Sequence, residues 1–204
     1  MIKQILFDCG GVFVEIQYHQ LIEKITGDAK LADLFMERIF TPESPWPKNY
    51  DCGTADTAEC GRQLKEFFPE IKPEHIDVFM EEWIRWLIPF PEMETMVDEL
   101  HEAGYKCYLL SNFAERFPEF RNQYCPAIQH LDGEVISYQV HLLKPGREIF
   151  DYTTQKFGYD PAETLFVDDT LHNVEGAQAA GYQTYHYTTP AAFRAFLKEQ
   201  NILS

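Results

Sequence analysis

Short apolar runs, each followed by polar or turn-forming residues, recur along most of the chain. They predict four buried strands, at residues 2–7, 105–110, 164–167 and 182–187. Between the later strands, apolar residues return at the spacing of one helical face; the clearest sets are Met93, Met96, Val97 and Leu100, then Ile149, Phe150 and Phe157, then Val174, Ala177 and Ala180. Strands that alternate with helices predict an α/β fold whose parallel sheet is covered on both faces.

Residues 16–88 break this alternation, because they contain helical patterns but no convincing strand. We predict that they form a small helical domain, called the cap below, inserted after the first strand. The core domain is then formed by residues 1–15 and 89–204. Within the core, a short pair of strands is also predicted at 128–140, with Asp132-Gly133 as its turn.

Composition and net charge exclude several classes of function. The chain has 204 residues and a formal net charge of -16, which argues against nucleic acid or an anionic membrane as a partner. No apolar run reaches the length of a membrane span. The five cysteines form no CxxC pair, which is typical of a reducing compartment. We expect a cytoplasmic protein that is a monomer or a weak homo-oligomer.

Polar residues follow the predicted strands at the edge where an open α/β sheet binds ligands. Taken singly, each could be a turn residue, a helix cap or a solvated side chain. Together they combine carboxylates that suit a hard metal ion with hydroxyl and ammonium groups that suit phosphate. The residues are Asp8 after the first strand, Ser111 and Asn112 after the second, Asp168 and Asp169 after the third, and Lys144 in a loop before a helix.

The cap contains one stretch that could recognise a substrate. Trp46 and Tyr50 lie in a loop-like segment that ends near Gly53, and a rigid aromatic side chain beside a glycine turn could close over a small organic group. The alternative is that Trp46 packs inside the cap. The pattern favours neither reading.

Four segments, in order, resemble the motifs of the haloacid dehalogenase superfamily. They are Ile-Leu-Phe-Asp8-Cys-Gly-Gly-Val, Leu-Leu-Ser111-Asn, Lys144-Pro-Gly-Arg-Glu-Ile-Phe, and Phe-Val-Asp168-Asp169-Thr-Leu-His-Asn173-Val-Glu-Gly-Ala. The chain is most similar to the subgroup that contains bacterial glucose-1-phosphate phosphatases and the phosphatase domain of soluble epoxide hydrolases. The resemblance implies a Rossmann-like core, a helical cap, Mg²⁺ as cofactor and a small phosphorylated metabolite as substrate, with sugar phosphates among the candidates.

The resemblance also implies roles. Asp8 would attack phosphorus and form an aspartyl-phosphate. Ser111 and Lys144 would bind the phosphoryl group, and Asn112, Trp46 and Tyr50 would assist substrate binding. The implied metal ligands are the carboxylates of Asp8 and Asp169, the carbonyl of Gly10 and, less directly, Asp168. Asn173 would orient the acidic loop or cap a helix.

One position departs from the family pattern. Most phosphatases of the superfamily have a second aspartate two residues after the nucleophile, and here Gly10 occupies that position. The backbone carbonyl of residue 10 can still bind a metal ion, because it needs no side chain. The carboxyl group that would protonate the leaving group is lost. Positioned acid–base catalysis contributes about 10²- to 10⁴-fold. Glu15, His172 and residues of the cap are candidate substitutes.

Two alternatives stay open at this point. A 2-haloacid dehalogenase would use Asp8 on carbon without a metal, although the adjacent Asp168 and Asp169 argue against it. A phosphate-binding or regulatory protein that has lost catalysis would explain Gly10, although the retained acids, Ser111 and Lys144 oppose it.

Overall fold

A parallel five-stranded sheet forms the centre of the computed structural model, which describes residues 1–203. Its strand order is β5-β4-β1-β6-β7, and an antiparallel pair, β2-β3, stands apart from it. The strands are β1 (Gln4–Phe7), β2 (Val14–Ile16), β3 (Leu87–Pro89), β4 (Lys106–Ser111), β5 (Gly133–Ile136), β6 (Thr164–Asp168) and β7 (Gln183–His186).

Helices connect the parallel strands and build the cap. The α-helices are α1 (Tyr18–Thr26), α2 (Ala29–Ile39), α3 (Thr57–Phe67), α4 (Pro73–Glu82), α5 (Pro91–Glu102), α6 (Phe117–Gln123), α7 (Ser137–Val140), α8 (Arg147–Phe157), α9 (Leu171–Ala179) and α10 (Pro190–Glu199). Short turns of 3₁₀ or π geometry lie at Trp46–Tyr50, Trp83–Trp86, Pro126–His130 and Pro161–Glu163.

The central strand β1 is buried on both faces, as the continuous apolar run predicts. Alternate residues point to opposite sides, so Phe7 packs in a cluster with Met93 of α5 and Phe193 of α10. Leu6 faces the other way and packs with Phe150 of α8. This arrangement confirms the predicted α/β fold with a parallel sheet covered on both faces.

The predicted pair of strands at 128–140 is wrong. Pro126 begins a 3₁₀ turn, and β5 pairs parallel to β4 as an edge strand. The side chain of Asp132 does not form a hairpin turn; it accepts the backbone N–H of Cys107 at 2.9 Å and thereby helps to hold the start of β5 beside β4. The residues after β5 form α7 instead of a second strand.

The cap residues contribute α1 to α4 and a dense aromatic cluster. Its members pack edge to face at centroid distances of 5.0–5.8 Å, in pairs such as Tyr18–Trp46, Tyr18–Phe79 and Trp46–Trp83. The pair β2-β3 lies where the chain enters and leaves the cap. The sequence pattern predicted no strand within residues 16–88. The exact boundaries of the two domains stay a prediction.

Trp83 also contacts Phe113, which follows β4, at 5.6 Å between ring centroids. The aromatic interior of the cap is therefore continuous with the core. Within residues 1–203, no helix is both long and apolar enough to cross a membrane.

Candidate active site

Parallel pairing brings the ends of β1 and β6 together. Asp8 directly follows β1, and its backbone N–H donates to the carbonyl oxygen of Val167 in β6 at 2.9 Å. Asp168 is the last residue of β6. The two carboxylates therefore leave neighbouring strands at the same edge of the sheet, as the strand-end argument predicts.

Lys144 lies between these two carboxylates. Its Nζ is 2.7 Å from Oδ1 of Asp8 and 2.7 Å from Oδ2 of Asp168, and its side chain is almost fully buried. The loop that carries it is held by Asn112. The amide nitrogen of Asn112 donates to the Lys144 carbonyl at 3.0 Å, and its amide oxygen accepts the Lys144 N–H at 2.9 Å. Asn112 thus positions the lysine, while its predicted contact with substrate stays a prediction.

Both carboxylate oxygens of Asp168 are hydrogen-bonded. Oδ1 accepts the backbone N–H of Thr170 at 2.8 Å, and the amide of Asn173 lies 3.2 Å from each oxygen. Helix α9 has Thr170 at its N-cap, so Asn173 orients the acidic loop and does not cap the helix. Asp168 is therefore engaged with Lys144 and with its own loop, whereas the neighbouring Asp169 is exposed to solvent.

Charge is unbalanced in this cluster. Burial raises the pKa of Asp8 to about 7, against the lowering effect of Lys144, and Asp168 and Asp169 raise it further. Burial alone would lower the pKa of Lys144, but the carboxylates of Asp168 and Asp8 raise it above its ordinary value. Desolvation in the cleft and the charge of Asp168 raise the pKa of Asp169, although this residue is open to solvent. Three acids and one lysine therefore hold an excess of negative charge.

These residues fit a divalent cation. Asp8, Asp168 and Asp169 each offer a carboxylate oxygen, and these oxygens lie within 4.8 Å of one another. Hard oxygen donors are the ligands that Mg²⁺ prefers. Gly11, at φ +70°, leaves room for the Asp169 carboxylate, because a Cβ at Gly11 would lie 2.1 Å from its Oδ2. The predicted carbonyl ligand at Gly10 lies in the same loop.

Ser111 ends β4 and is almost fully buried. Its hydroxyl has only a long contact, 3.5 Å, with the carbonyl of Asn112, so its hydrogen-bonding capacity is largely unused. A hydroxyl beside the Asp8–Lys144 pair is suited to a phosphoryl oxygen.

A small cavity of ≈ 60 Å³ lies between this edge of the sheet and the cap. Gly10 and Asn112 line it from the core, and Trp46 and Asp51 line it from the cap. Trp46 packs in the aromatic cluster, as one reading of the sequence has it, and also forms part of the cavity wall, while its predicted contact with substrate stays a prediction. Tyr50 is buried and its hydroxyl pairs with that of Thr57 at 2.8 Å, so the structure places it in the cap interior, away from this wall.

Two of the predicted substitutes for the missing proton donor, Glu15 and His172, lie elsewhere, and the third class, residues of the cap, includes Asp51 in the cavity wall. Glu15 is exposed on β2 and pairs with Gln17, and His172 is exposed on α9 beside Glu175. Neither lines the cavity. Sequence reasoning gave Asp51 no separate role, because an acid in a polar, proline-rich segment carries no pattern of its own.

The segment that carries Asp51 is fastened to the core through α7. The buried hydroxyl of Ser137 accepts the N–H of Phe113 at 2.9 Å and donates to the Asp51 carbonyl. His141 Nδ1 lies 2.9 Å from the Cys52 carbonyl oxygen. Gly53, at φ +73°, packs so closely on α7 that a Cβ there would lie 2.3 Å from the Tyr138 carbonyl oxygen. Sequence reasoning missed Ser137, because a serine after a short strand carries no specific signal.

Gly53→Ala is expected to destabilise the protein more than Gly27→Ala. Gly27 has nearly the same backbone conformation, φ +71°, but a Cβ there meets nothing within 4 Å. Both variants carry the cost of a left-handed residue, and only Gly53→Ala adds a clash, worth about 1–3 kcal/mol. Urea unfolding of the two variants measures this difference; equal free energies of unfolding would show that the cap segment is not fastened to α7.

Comparison with known proteins identifies the family of this chain. Residues 2–181 match the sequence model of the family described as haloacid dehalogenase-like hydrolase. D-ribitol-5-phosphate phosphatase of Bacteroides thetaiotaomicron is 30% identical over 207 residues, covering 95% of this chain and 96% of the relative. A sesquiterpene phosphatase of Aspergillus oryzae is 27% identical over 191 residues, covering 93% and 92%.

A solved structure is similar over nearly the same length. It is a HAD family enzyme of Bacteroides thetaiotaomicron in complex with magnesium and inorganic phosphate, with a TM-score of 0.71 and 26% sequence identity. The match covers 91% of this chain and 93% of that one.

Proposed function

The chain belongs to the haloacid dehalogenase-like hydrolases, and from this membership and the site geometry we propose that it is a magnesium-dependent phosphatase of a small phosphorylated metabolite. The observation that carries the proposal is the buried Lys144 ammonium, 2.7 Å from both Asp8 and Asp168, with the Asp169 carboxylate beside them. This set joins a nucleophile, a phosphate-binding cation and a place for a metal.

In the proposed reaction Asp8 supplies the nucleophile. A carboxylate oxygen of Asp8 attacks phosphorus, the bond between phosphorus and the ester oxygen breaks, and the phosphoryl group is carried as an aspartyl-phosphate. Lys144 holds Asp8 in place and offsets negative charge, and Ser111 donates to a phosphoryl oxygen. Water then hydrolyses the aspartyl-phosphate and restores Asp8.

Mg²⁺ would be held by Asp8, Asp169 and the Gly10 carbonyl, with Asp168 beside them, and when bound it supplies positive charge that offsets the charge of the transferring phosphoryl group. The chain itself has a net charge of -16, so a local cation also reduces repulsion of a phosphorylated substrate.

The relatives guide the substrate class. The two curated relatives described above are named for the phosphates of a sugar alcohol and of a terpenoid alcohol. We infer a phosphate monoester of a small alcohol, such as a sugar or polyol phosphate, for this chain. The subgroup suggested by sequence resemblance and the cytoplasmic location stay predictions.

The alternatives are less well supported. The dehalogenase alternative uses no metal, whereas Asp168 and Asp169 stand together here and the curated relatives are named as phosphatases. The alternative of lost catalysis rests on Gly10 alone, while the Asp8–Lys144–Asp168 network is complete.

A screen of phosphorylated metabolites, with sugar and polyol phosphates included, tests the proposal. With Mg²⁺ we expect release of inorganic phosphate, and chelation of Mg²⁺ by EDTA should reduce the rate by on the order of 10²-fold or more. Re-addition of excess Mg²⁺ is the control and should restore activity. Full hydrolysis in EDTA, or chloride release from 2-chloropropionate without metal, would contradict the proposed function.

A further inference from the structure

Gly10 leaves the proposed phosphatase without a side chain to protonate the departing alcohol. The loop from Asp8 to Val14 otherwise offers no acid, because its side chains are Cys9, Val12 and Phe13, which are buried and apolar, and two glycines. An alkoxide is a poor leaving group, so hydrolysis of an ordinary alcohol phosphate needs a proton from another position.

Asp51 is the acidic side chain that lines the cavity above Gly10. It is buried, and among the residues that the structure describes no hydrogen-bond donor or cation contacts its carboxyl group. A buried carboxyl without a partner costs stability, so its presence calls for a function. Asp51 and Gly10, the position of the missing acid, line the same cavity.

The core holds Asp51 at this place. Ser137 bonds the backbone of Asp51 to that of Phe113, two residues after Ser111, so one hydroxyl links the cap segment to the phosphate-binding loop. His141 and Gly53 fasten the next two residues to the same side of the core. The backbone that carries the Asp51 carboxyl is therefore held against the loop after Ser111 by hydrogen bonds and not only by the packing of the cap.

The protonation state of the Asp51 carboxyl suits a general acid. Burial, and then the negative charge of Asp8, raise the pKa of Asp51 to about 8. The carboxyl group therefore retains its proton near neutral pH.

Trp83 contributes a buried side chain to the wall of the same cavity, and its Nε1–H has no acceptor within residues 1–203. Most of this wall is apolar, and Asp51 is its acidic side chain.

We propose that Asp51 is the catalytic acid of this enzyme, supplied by the cap in place of the side chain absent at Gly10. The proposal rests on the proposed phosphatase function and deepens it. It assigns the enzyme to phosphate esters of unactivated alcohols, whose departure requires a proton.

The proposed reaction has two steps, each with a proton transfer at Asp51. The Asp8 carboxylate forms a bond to phosphorus, the bond from phosphorus to the ester oxygen breaks, and its electron pair stays on that oxygen. The proton of Asp51 moves to the oxygen, which leaves as the neutral alcohol, and Asp51 becomes a carboxylate. In the second step Asp51 takes a proton from the water that attacks phosphorus, which releases phosphate and regenerates both aspartates.

Asp51→Asn tests the proposal when its rates on two aryl phosphates are compared, because the leaving group of one needs protonation more than that of the other. 4-Nitrophenolate leaves without one, whereas phenolate from phenyl phosphate is a poorer leaving group. With Mg²⁺ present, kcat/KM of the variant should fall on phenyl phosphate by about 10²-fold more than on 4-nitrophenyl phosphate, the lower end of general acid catalysis. Retained hydrolysis of 4-nitrophenyl phosphate also shows that the variant is folded.

Asp33→Asn is the matched control, because it removes an exposed carboxyl from the same domain. It should keep both values of kcat/KM within about twofold of wild type. An equal loss on both esters in Asp51→Asn, or no loss on either, overturns the role of Asp51 and leaves the phosphatase function standing. A wild-type protein that releases phosphate neither from these esters nor from any sugar or polyol phosphate of the screen with Mg²⁺ refutes the phosphatase function, and the role of Asp51 with it.

Discussion

Asp8→Asn should reduce phosphate-ester hydrolysis by on the order of 10⁴- to 10⁶-fold, the loss typical of a removed nucleophile. The amide keeps the shape of the side chain, and its oxygen can still accept from Lys144, but it does not attack phosphorus. The fold should survive, because the change removes a buried carboxyl whose pKa burial raises to about 7. Steady-state rates on 4-nitrophenyl phosphate, with urea unfolding alongside, measure both effects.

A covalent readout separates the nucleophile from a residue that only binds metal. After acid quenching with ³²P-labelled substrate, the wild-type protein should retain label that hydroxylamine releases, and Asp8→Asn should retain none. Asp33→Asn, exposed on the cap, is the control and should behave as wild type. Covalent label in Asp8→Asn, or undiminished turnover, would place the nucleophile elsewhere.

Lys144→Met should destabilise the protein by about 3–5 kcal/mol, the cost of breaking a buried ion pair on one side. The methionine fills similar space but leaves the carboxylates of Asp8 and Asp168 facing each other without the ammonium that lies 2.7 Å from each. Lys106→Met is the matched control. Lys106 is exposed and pairs with Asp132 at the surface, so its loss should cost no more than about 1 kcal/mol.

The effect of Lys144→Met should grow with pH. Burial raises the pKa of Asp8 and Lys144 lowers it, so removal of the lysine raises this pKa further above its value in the unfolded chain. The folded variant then binds a proton that the unfolded chain has already lost, and stability falls as pH rises from about 4 through 7 and above. Urea unfolding of the metal-free variant at pH 5 and pH 8 measures the difference; a loss that is smaller at pH 8 would contradict the pairing.

The strand-end acids were predictable from sequence because two simple patterns determine their place. Apolar runs define β1 and β6, and parallel strands put their following residues at one edge of the sheet. Asp8, Asp168 and Asp169 therefore come together whatever the details of the packing. Lys144 was less certain, because it lies in a loop before a helix and no strand end fixes its place; the motif resemblance strengthened its assignment to the site.

The short elements were less predictable. Residues 128–140 carry apolar residues and an Asp-Gly pair that also suit a hairpin, and only the contact of Asp132 with Cys107 decides for a parallel edge strand. Trp46 shows the same limit, since the sequence fits cap packing and substrate recognition equally well, and only the structure shows that it packs in the cap while lining the cavity.

By itself, the sequence determined the parallel α/β fold and the acids at the ends of its strands, because each depends on local pattern and on the geometry of parallel strands, and its resemblance to the family's motifs implied the gap at Gly10. Tertiary structure alone decided which group stands above that gap. The backbone carbonyl of Asp51 accepts a hydrogen bond from the hydroxyl of Ser137, 86 positions along the chain, and this bond holds the Asp51 segment against the core. A contact between residues so far apart depends on how the cap and core pack, and no periodicity in the sequence records it.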